Sequence, residues 1–218
     1  MTYDASWVRA HYDAYGMREW DRWDNSPVQA VKFAIHLHYL VTHIRPSDRI
    51  LDVGAGAGRF TREIARLTDH ITVADLSPVQ IDLNRRNAEL YGYRGAVQAW
   101  VECDVSDMSG HFSDGQFDVT VCYGGPLSYV LDRRTEALRE LKRVTRAGGL
   151  VLLSAMSLLG GFHQYLPRIL GLPAEVAIRV LKTGDVTEQE WEFSRHRHHL
   201  FTASELRALI SEAGLELI

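Results

Sequence analysis

Five short runs of β-branched and aliphatic residues punctuate the chain: "RILDV" (49–53), "ITVAD" (71–75), "VQAWVEC" (97–103), "FDVTVC" (117–122) and "LVLLSAM" (150–156). Each is followed by a turn, and usually by apolar positions that recur with helical spacing. Nearly continuous apolar runs alternating with helices predict a parallel sheet buried on both faces, because the crossover helices cover its two sides. The helices are legible too. Leu138, Leu141 and Val144 follow at three-residue steps before "RAGG" stops their helix, and Leu206, Leu209, Ile210 and Ala213 fit i, i+3, i+4, i+7. That last helix opens with Thr202 three residues before Glu205, a capping box, and closes at Gly214. Ahead of the first strand, Ser26 and Pro27 make an N-cap and first-turn pair for a helix running to about Ile44.

Two stretches depart from this rhythm. The aromatic-rich "WVRAHYDAYGMREWDRW" near the start is too apolar for a disordered tail. After the fifth run, "GGFHQYLPRILGLPAEVAIRVLKTGDV" predicts a helical insertion bounded by glycines, followed by the His-rich "RHRHHLF". The expected organisation is an N-terminal helical cap (1–45), a ligand-binding core (46–156), a lid or acceptor insertion (157–200), and a last helix with the start of a strand (201–218). A length of 218 residues suits one α/β domain with such an insertion.

Composition narrows the function. A formal charge of −4 with scattered Lys and Arg offers no basic stripe to neutralise phosphates, which disfavours nucleic acid and favours a small-molecule substrate. No run reaches the roughly 18 apolar residues of a membrane helix, and the start lacks the pattern of a secretory signal, so a cytoplasmic location without membrane partners is expected. Cys103 and Cys122 end apolar runs, where a thiol behaves as a small hydrophobe. The pattern specifies no oligomeric state.

The candidate chemistry lies in "ILDVGAGAGRF" (50–60), where Gly54, Gly56 and Gly58 alternate between a strand and a helix. Glycine tolerates positive φ and leaves room for a ligand against the backbone, and the exposed N–H groups of a helix start attract an anionic group. The Lys-Ser/Thr ending of a P-loop is missing, so no triphosphate is held. A dinucleotide and S-adenosylmethionine both remain, and both want an acid at the end of the second strand for a ribose diol; Asp75 stands there. Asp52 places a carboxylate beside the loop, a poor neighbour for pyrophosphate and a partner for an amino group. Asp104 ends the third run, placed to accept from an adenine amino group. This set favours S-adenosylmethionine as the cofactor.

With these residues in place, the sequence resembles the class I S-adenosylmethionine-dependent methyltransferases, in their small-molecule branch with a generic methyltransferase domain. The motifs "LDVGAGAGRF", "VADLSP", "ECDVSD", "FDVTVCYGGPLSYV" and "LKRVTRAGGLVLLS" carry the resemblance over residues 46–156. It implies an α/β fold: a doubly wound, mostly parallel, Rossmann-like sheet of order 3-2-1-4-5-7-6 with helices on both faces. It also implies cofactor roles for Gly54, Ala55, Gly56, Gly58, Asp75, Leu76, Asp104, Val105 and Tyr123. The segment "YDAYGMREWDRW" looks like the cap that closes over the methionine end in some bacterial members, which points to Tyr15 and Arg22, with Tyr12 beside them. "RAGG" replaces the family's usual Pro-Gly-Gly turn, and "CYGGP" is not the Asn/Asp-Pro-Pro-Tyr/Phe pattern of many DNA amino-methylating members, which disfavours DNA bases.

The expected reaction is transfer of the sulfonium methyl to an O, N, S or C nucleophile of a small organic acceptor, mainly by proximity and orientation. Tyr129 and His163 are the candidate catalytic residues, and Phe162, Tyr165, Leu166 and Ile169 join His163 in the expected acceptor pocket. Competing classes are an NAD(P)-dependent oxidoreductase and a non-catalytic S-adenosylmethionine-binding protein. His196, His198 and His199 read as a polar strand face rather than a metal site, since no Asp, Glu or Cys falls at a ligand spacing. Trp20 and Trp23 read as packing. The chain stops before the family's seventh strand, so a longer natural protein, or another segment or chain beside "LVLLSAM", is expected, with "WEFSRHRHHLF" (191–201) as a second candidate for that slot.

Overall fold

A computed structural model describes residues 1–187 and 197–218. Five strands form one parallel sheet: β1 (Ile50–Val53), β2 (Ile71–Asp75), β3 (Val97–Glu102), β4 (Phe117–Cys122) and β5 (Thr145–Leu153), in the order β3-β2-β1-β4-β5. Ile50 lies opposite both Ile71 and Val119, and Val119 opposite Leu150. Successive side chains on a strand point to opposite faces, and the core divides accordingly. Ile50, Val119 and Val121 belong to one buried cluster, whereas Leu51, Val53 and Cys122 belong to the other. This explains why the strand sequences are apolar throughout.

Helices cover each face. The first cluster takes Leu40 from α3 (Pro27–His43), Ile64 from α4 (Arg59–Ile64) and Ile81 from α5 (Pro78–Leu90). The second takes Leu138, Leu141 and Val144 from α7 (Arg134–Val144) and Ile210 from α10 (Ala203–Glu212). Leu138 and Leu141 are fully buried, a contribution of about 1.5–3 kcal/mol each. The N-terminal cap is α1 (Ala5–Tyr15), the single turn α2 (Arg18–Asp21) and α3. A short α6 (Pro126–Tyr129) follows β4. The insertion consists of α8 (Leu158–Ile169), α9 (Ala174–Thr183) and a small antiparallel ribbon of β6 (Asp185–Val186) and β7 (His198–His199). Pro167 removes a helical donor inside α8, and the chain kinks at Tyr165.

Several boundaries differ from the sequence pattern. "RAGG" lies inside β5, not before it: Thr145 pairs with Phe117, and a bulge accommodates Gly148 at φ +69 before Leu150 meets Val119. Thr202 caps α10 by accepting from the Glu205 N–H at 3.2 Å, but Glu205 Oε1 faces His199 and Arg134. Residues 215–218 form no strand, and among the described residues β5 is the last strand of its sheet. The described part of "WEFSRHRHHLF" does not flank β5; it pairs with Asp185–Val186 and bridges Ser157 beyond the end of that strand, while residues 191–196 of the segment lie outside the described residues. Cys103 and Cys122 are both buried free thiols, pushed up to about 12 chiefly by burial. No helix among the described residues is long and apolar enough to cross a membrane.

Candidate active site

The loop from β1 to α4 holds Gly54, Gly56 and Gly58 at φ +67, +54 and +94. A side chain on Gly54 would enter the ring of Pro126, and one on Gly56 would meet Glu19 Cγ at 2.8 Å. These two positions need glycine for conformation and for space together. Several of the loop's own N–H groups are already bonded within the protein. The N–H groups of Gly54 and Ala55 both donate to Ala74 O, Gly58 donates to Ala55 O, and Gly56 donates to Asp75 Oδ2 at 2.8 Å. With those four donors engaged, the loop offers a floor for close approach, and anion binding is left to the N–H groups at the start of α4.

Carboxylates border that floor. Asp75, at the end of β2, accepts from Ser77 N at 2.8 Å as well as from Gly56, so it shapes the loop besides facing the cavity. Burial pushes its carboxyl up to about 6 despite these bonds. Asp52 is buried in β1 and accepts from Thr61 Oγ1 at 2.6 Å; burial carries it to about 7. Asp104 holds Ser106 through Oδ1, and its Oδ2 accepts from the Tyr3 hydroxyl at 2.8 Å.

A cavity above the loop is lined by Gly54, Gly56, Asp75, Leu76, Asp104, Val105 and Tyr123, seven of the residues named from the sequence. Tyr3, Tyr12, Glu19, Pro126 and Tyr129 also line it. The sequence reading missed Tyr3, Glu19 and Pro126. Glu19 sits in the quoted cap segment, but its buried pairing with Arg22, at 2.8 Å, is a tertiary fact. Asp52 and Ala55 line a small side chamber shared with Glu19 and Arg22. Gly58 lines none of these spaces: it packs beneath Tyr93 and Asn84.

A second, larger cavity of about 430 Å³ lies between the cap and the insertion. Tyr15 and Arg22 line this one, and neither lines the first. Its wall includes Trp23, Lys32 and His36 from the cap side, Met156 after β5, and Phe162, Tyr165 and Ile169 from α8. Gly124 and Tyr129 line both cavities. His163 is exposed on α8 and lines neither; Leu166 is also exposed. Tyr129 is buried and its hydroxyl is pushed up to about 12, so it keeps its proton at neutral pH and serves as a donor rather than a base.

Residues 50–149 match the family model described as "Methyltransferase domain". The chain is 26% identical over 209 residues, 94% of its length and 79% of the relative's, to a ubiquinone biosynthesis O-methyltransferase of Xanthomonas axonopodis pv. citri. It is 32% identical over 118 residues to a ubiquinone/menaquinone biosynthesis C-methyltransferase of Ectopseudomonas mendocina, covering 52% of this chain and 44% of that one. Among solved structures it is similar to a SAM-dependent methyltransferase of Methanosarcina mazei (TM-score 0.60, 23% identity, 80% of this chain and 82% of that one). A Mesorhizobium loti methyltransferase is similar too (TM-score 0.62, 18%, 88% and 82%), and these two likenesses establish the fold. Residues 50–149 thus carry a methyltransferase domain, and the comparisons support a class I S-adenosylmethionine-dependent methyltransferase. Its reaction is methyl transfer from S-adenosylmethionine.

The donor set around the first cavity fits that methyl donor better than a dinucleotide. Carboxylates at Asp75 and Asp104 suit a ribose diol and an adenine amino group, and the N–H groups of Gly54, Ala55, Gly56 and Gly58 are already bonded within the protein. The oxidoreductase alternative loses its support on the same grounds. The methyltransferase holds no group of three or more His, Cys, Asp or Glu side chains placed for a metal among its described residues. His199, from the His-rich run, is instead buried with Nδ1 2.7 Å from Asp185 and Nε2 2.7 Å from Glu205, which ties the insertion to α10. His198 lines the larger cavity, and His196 lies outside the described residues.

Proposed function

We propose that the methyltransferase binds S-adenosylmethionine in the cavity over Gly54 and Gly56, and methylates a hydroxyl oxygen of a small aromatic acceptor held in the larger cavity. The observation that carries this reading is the common wall: Gly124 and Tyr129 line both spaces, so two bound reactants would meet there. Asp75 would accept from the ribose hydroxyls, Asp104 from the adenine amino group, and Asp52 with Glu19 would face the ammonium of the methionine end. Bound there, the donor supplies an electrophilic methyl carbon on a sulfonium. Holding two reactants at attack distance accounts for several kcal/mol of the barrier, by about 7–11 in well-oriented cases.

Two features support an aromatic hydroxyl. Trp23, Phe162, Tyr15 and Tyr165 give the acceptor cavity flat apolar walls. The relative aligned over 94% of the chain is named as an O-methyltransferase of ubiquinone biosynthesis, and its match extends through the cap and insertion that build this cavity. Tyr129 would orient the acceptor by donating a hydrogen bond, and the reaction would take place in the cytoplasm. The deciding experiment combines mass spectrometry of ligand retained on the purified protein with transfer of a labelled methyl group into a cell extract. Label in a hydroxylated aromatic product supports the reading; label only in macromolecules, or retention of NAD(H) alone, overturns it.

A further inference from the structure

We propose that His36 is the general base that takes the proton from the acceptor's hydroxyl. The inference rests on the proposed acceptor class and adds the residue that makes a poorly ionised hydroxyl reactive. His36 sits on α3 and lines the acceptor cavity. Its Nδ1 lies 2.6 Å from the Lys32 carbonyl oxygen. A carbonyl only accepts, so Nδ1 carries the hydrogen and Nε2 is left with the lone pair. A base needs that tautomer, and here one turn of α3 enforces it.

Position supports the same role. The ring packs against Tyr123 with centroids 4.5 Å apart, and Tyr123 lines the donor cavity. Phe60 and Trp23, at 5.2 and 5.6 Å, hold the imidazole from other sides. His36 therefore stands in the acceptor cavity against a residue of the donor cavity, unlike His163, which lines neither. Burial and the cations Arg22 and Lys32 lower its pKa from the ordinary 6.5, so the ring is neutral at pH 7. The other titratable groups lining the shared space are Tyr15, Tyr129, Tyr165 and His198, and Tyr129 holds its proton too firmly to compete.

The step balances as follows. The acceptor O–H bond breaks toward His36 Nε2 while the oxygen bonds the methyl carbon. The C–S bond breaks with its electron pair left on sulfur, giving S-adenosylhomocysteine, the methyl ether and an imidazolium that returns its proton to water.

The test uses catechol, neutral at pH 7, and 4-nitrocatechol, whose nitro group acidifies its hydroxyl, with wild type and His36→Gln. Loss of a general base should lower kcat for catechol by about 10²–10⁴-fold. The loss for 4-nitrocatechol above neutrality should be under about tenfold, since ionisation replaces the base. Donor affinity should stay within about twofold, because His36 does not line the donor cavity. The wild-type rate should rise with pH through a pKa below 6.5 that the variant lacks. Equal losses for both catechols, with that acidic limb retained, overturn the base while leaving the acceptor class standing. No transfer to either catechol by the wild type overturns the acceptor class and the base with it. Nitrogen-15 NMR of the ligand-free protein reads the tautomer separately, and a hydrogen on Nε2 overturns the proposal.

Discussion

Asp52→Asn should make the ligand-free methyltransferase relatively more stable as pH rises. In the native state burial lifts the Asp52 carboxyl from 3.8 to about 7, and its bond from Thr61 only partly offsets this. Between those two values the folded protein keeps a proton that the unfolded chain has released. Stability therefore falls as pH rises through the window, and the loss is complete above the folded pKa. Three pH units at about 1.4 kcal/mol each make the loss about 4 kcal/mol at most. Asn does not titrate, and its amide oxygen can still accept from Thr61. Asp75 shifts in the same direction and its charge adds to the lift on Asp52, so the gap reads Asp52 together with its repulsion from Asp75. Urea unfolding of the two ligand-free proteins between about pH 4 and pH 8 should show the gap moving in favour of Asn by up to about 4 kcal/mol. Parallel curves would mean that Asp52 ionises normally in the folded protein, and the account of a buried, protonated carboxyl would be wrong.

Asp75→Ala should cost stability as well as donor binding, because it strands the Gly56 and Ser77 N–H groups; at about 1–3 kcal/mol per orphaned group, a variant that loses affinity with unchanged urea midpoint would contradict the bonds described. Gly54→Ala forces φ +67 on a side chain and drives its Cβ into Pro126, so donor affinity by calorimetry and thermal stability should both fall, the latter by at least about 1–2 kcal/mol from backbone strain alone. His199→Leu removes both hydrogen bonds from a buried ring to the partly exposed Asp185 and Glu205, with an expected loss of about 1–3 kcal/mol and faster hydrogen exchange in β6 and β7; unchanged exchange would remove His199 as the tie between insertion and core.

The sheet was legible because its central strands β1, β2 and β4 are buried on both faces and so advertise themselves as apolar runs. β2 and β4 match their predicted limits, and Ser26 and Thr202 cap the helices they were expected to cap. That Gly54, Gly56, Asp75 and Asp104 line one cavity was legible for a related reason: a strand end and the loop after it place a residue by position alone, whatever packs above. What lies above had to come from tertiary structure. Glu19 and Tyr3 reach the smaller cavity across long stretches of chain, and no local pattern separates a cap residue that lines it from Tyr15 and Arg22, which line the larger one. The same holds for the histidines. In sequence, His163 sits among pocket-forming residues and His36 is one imidazole on an ordinary helix, yet the helix phase turns His163 to solvent and His36 into the cavity. A chain pattern records whether a position is apolar; the rotation of one helix against its neighbours decides which polar side chain meets the substrate.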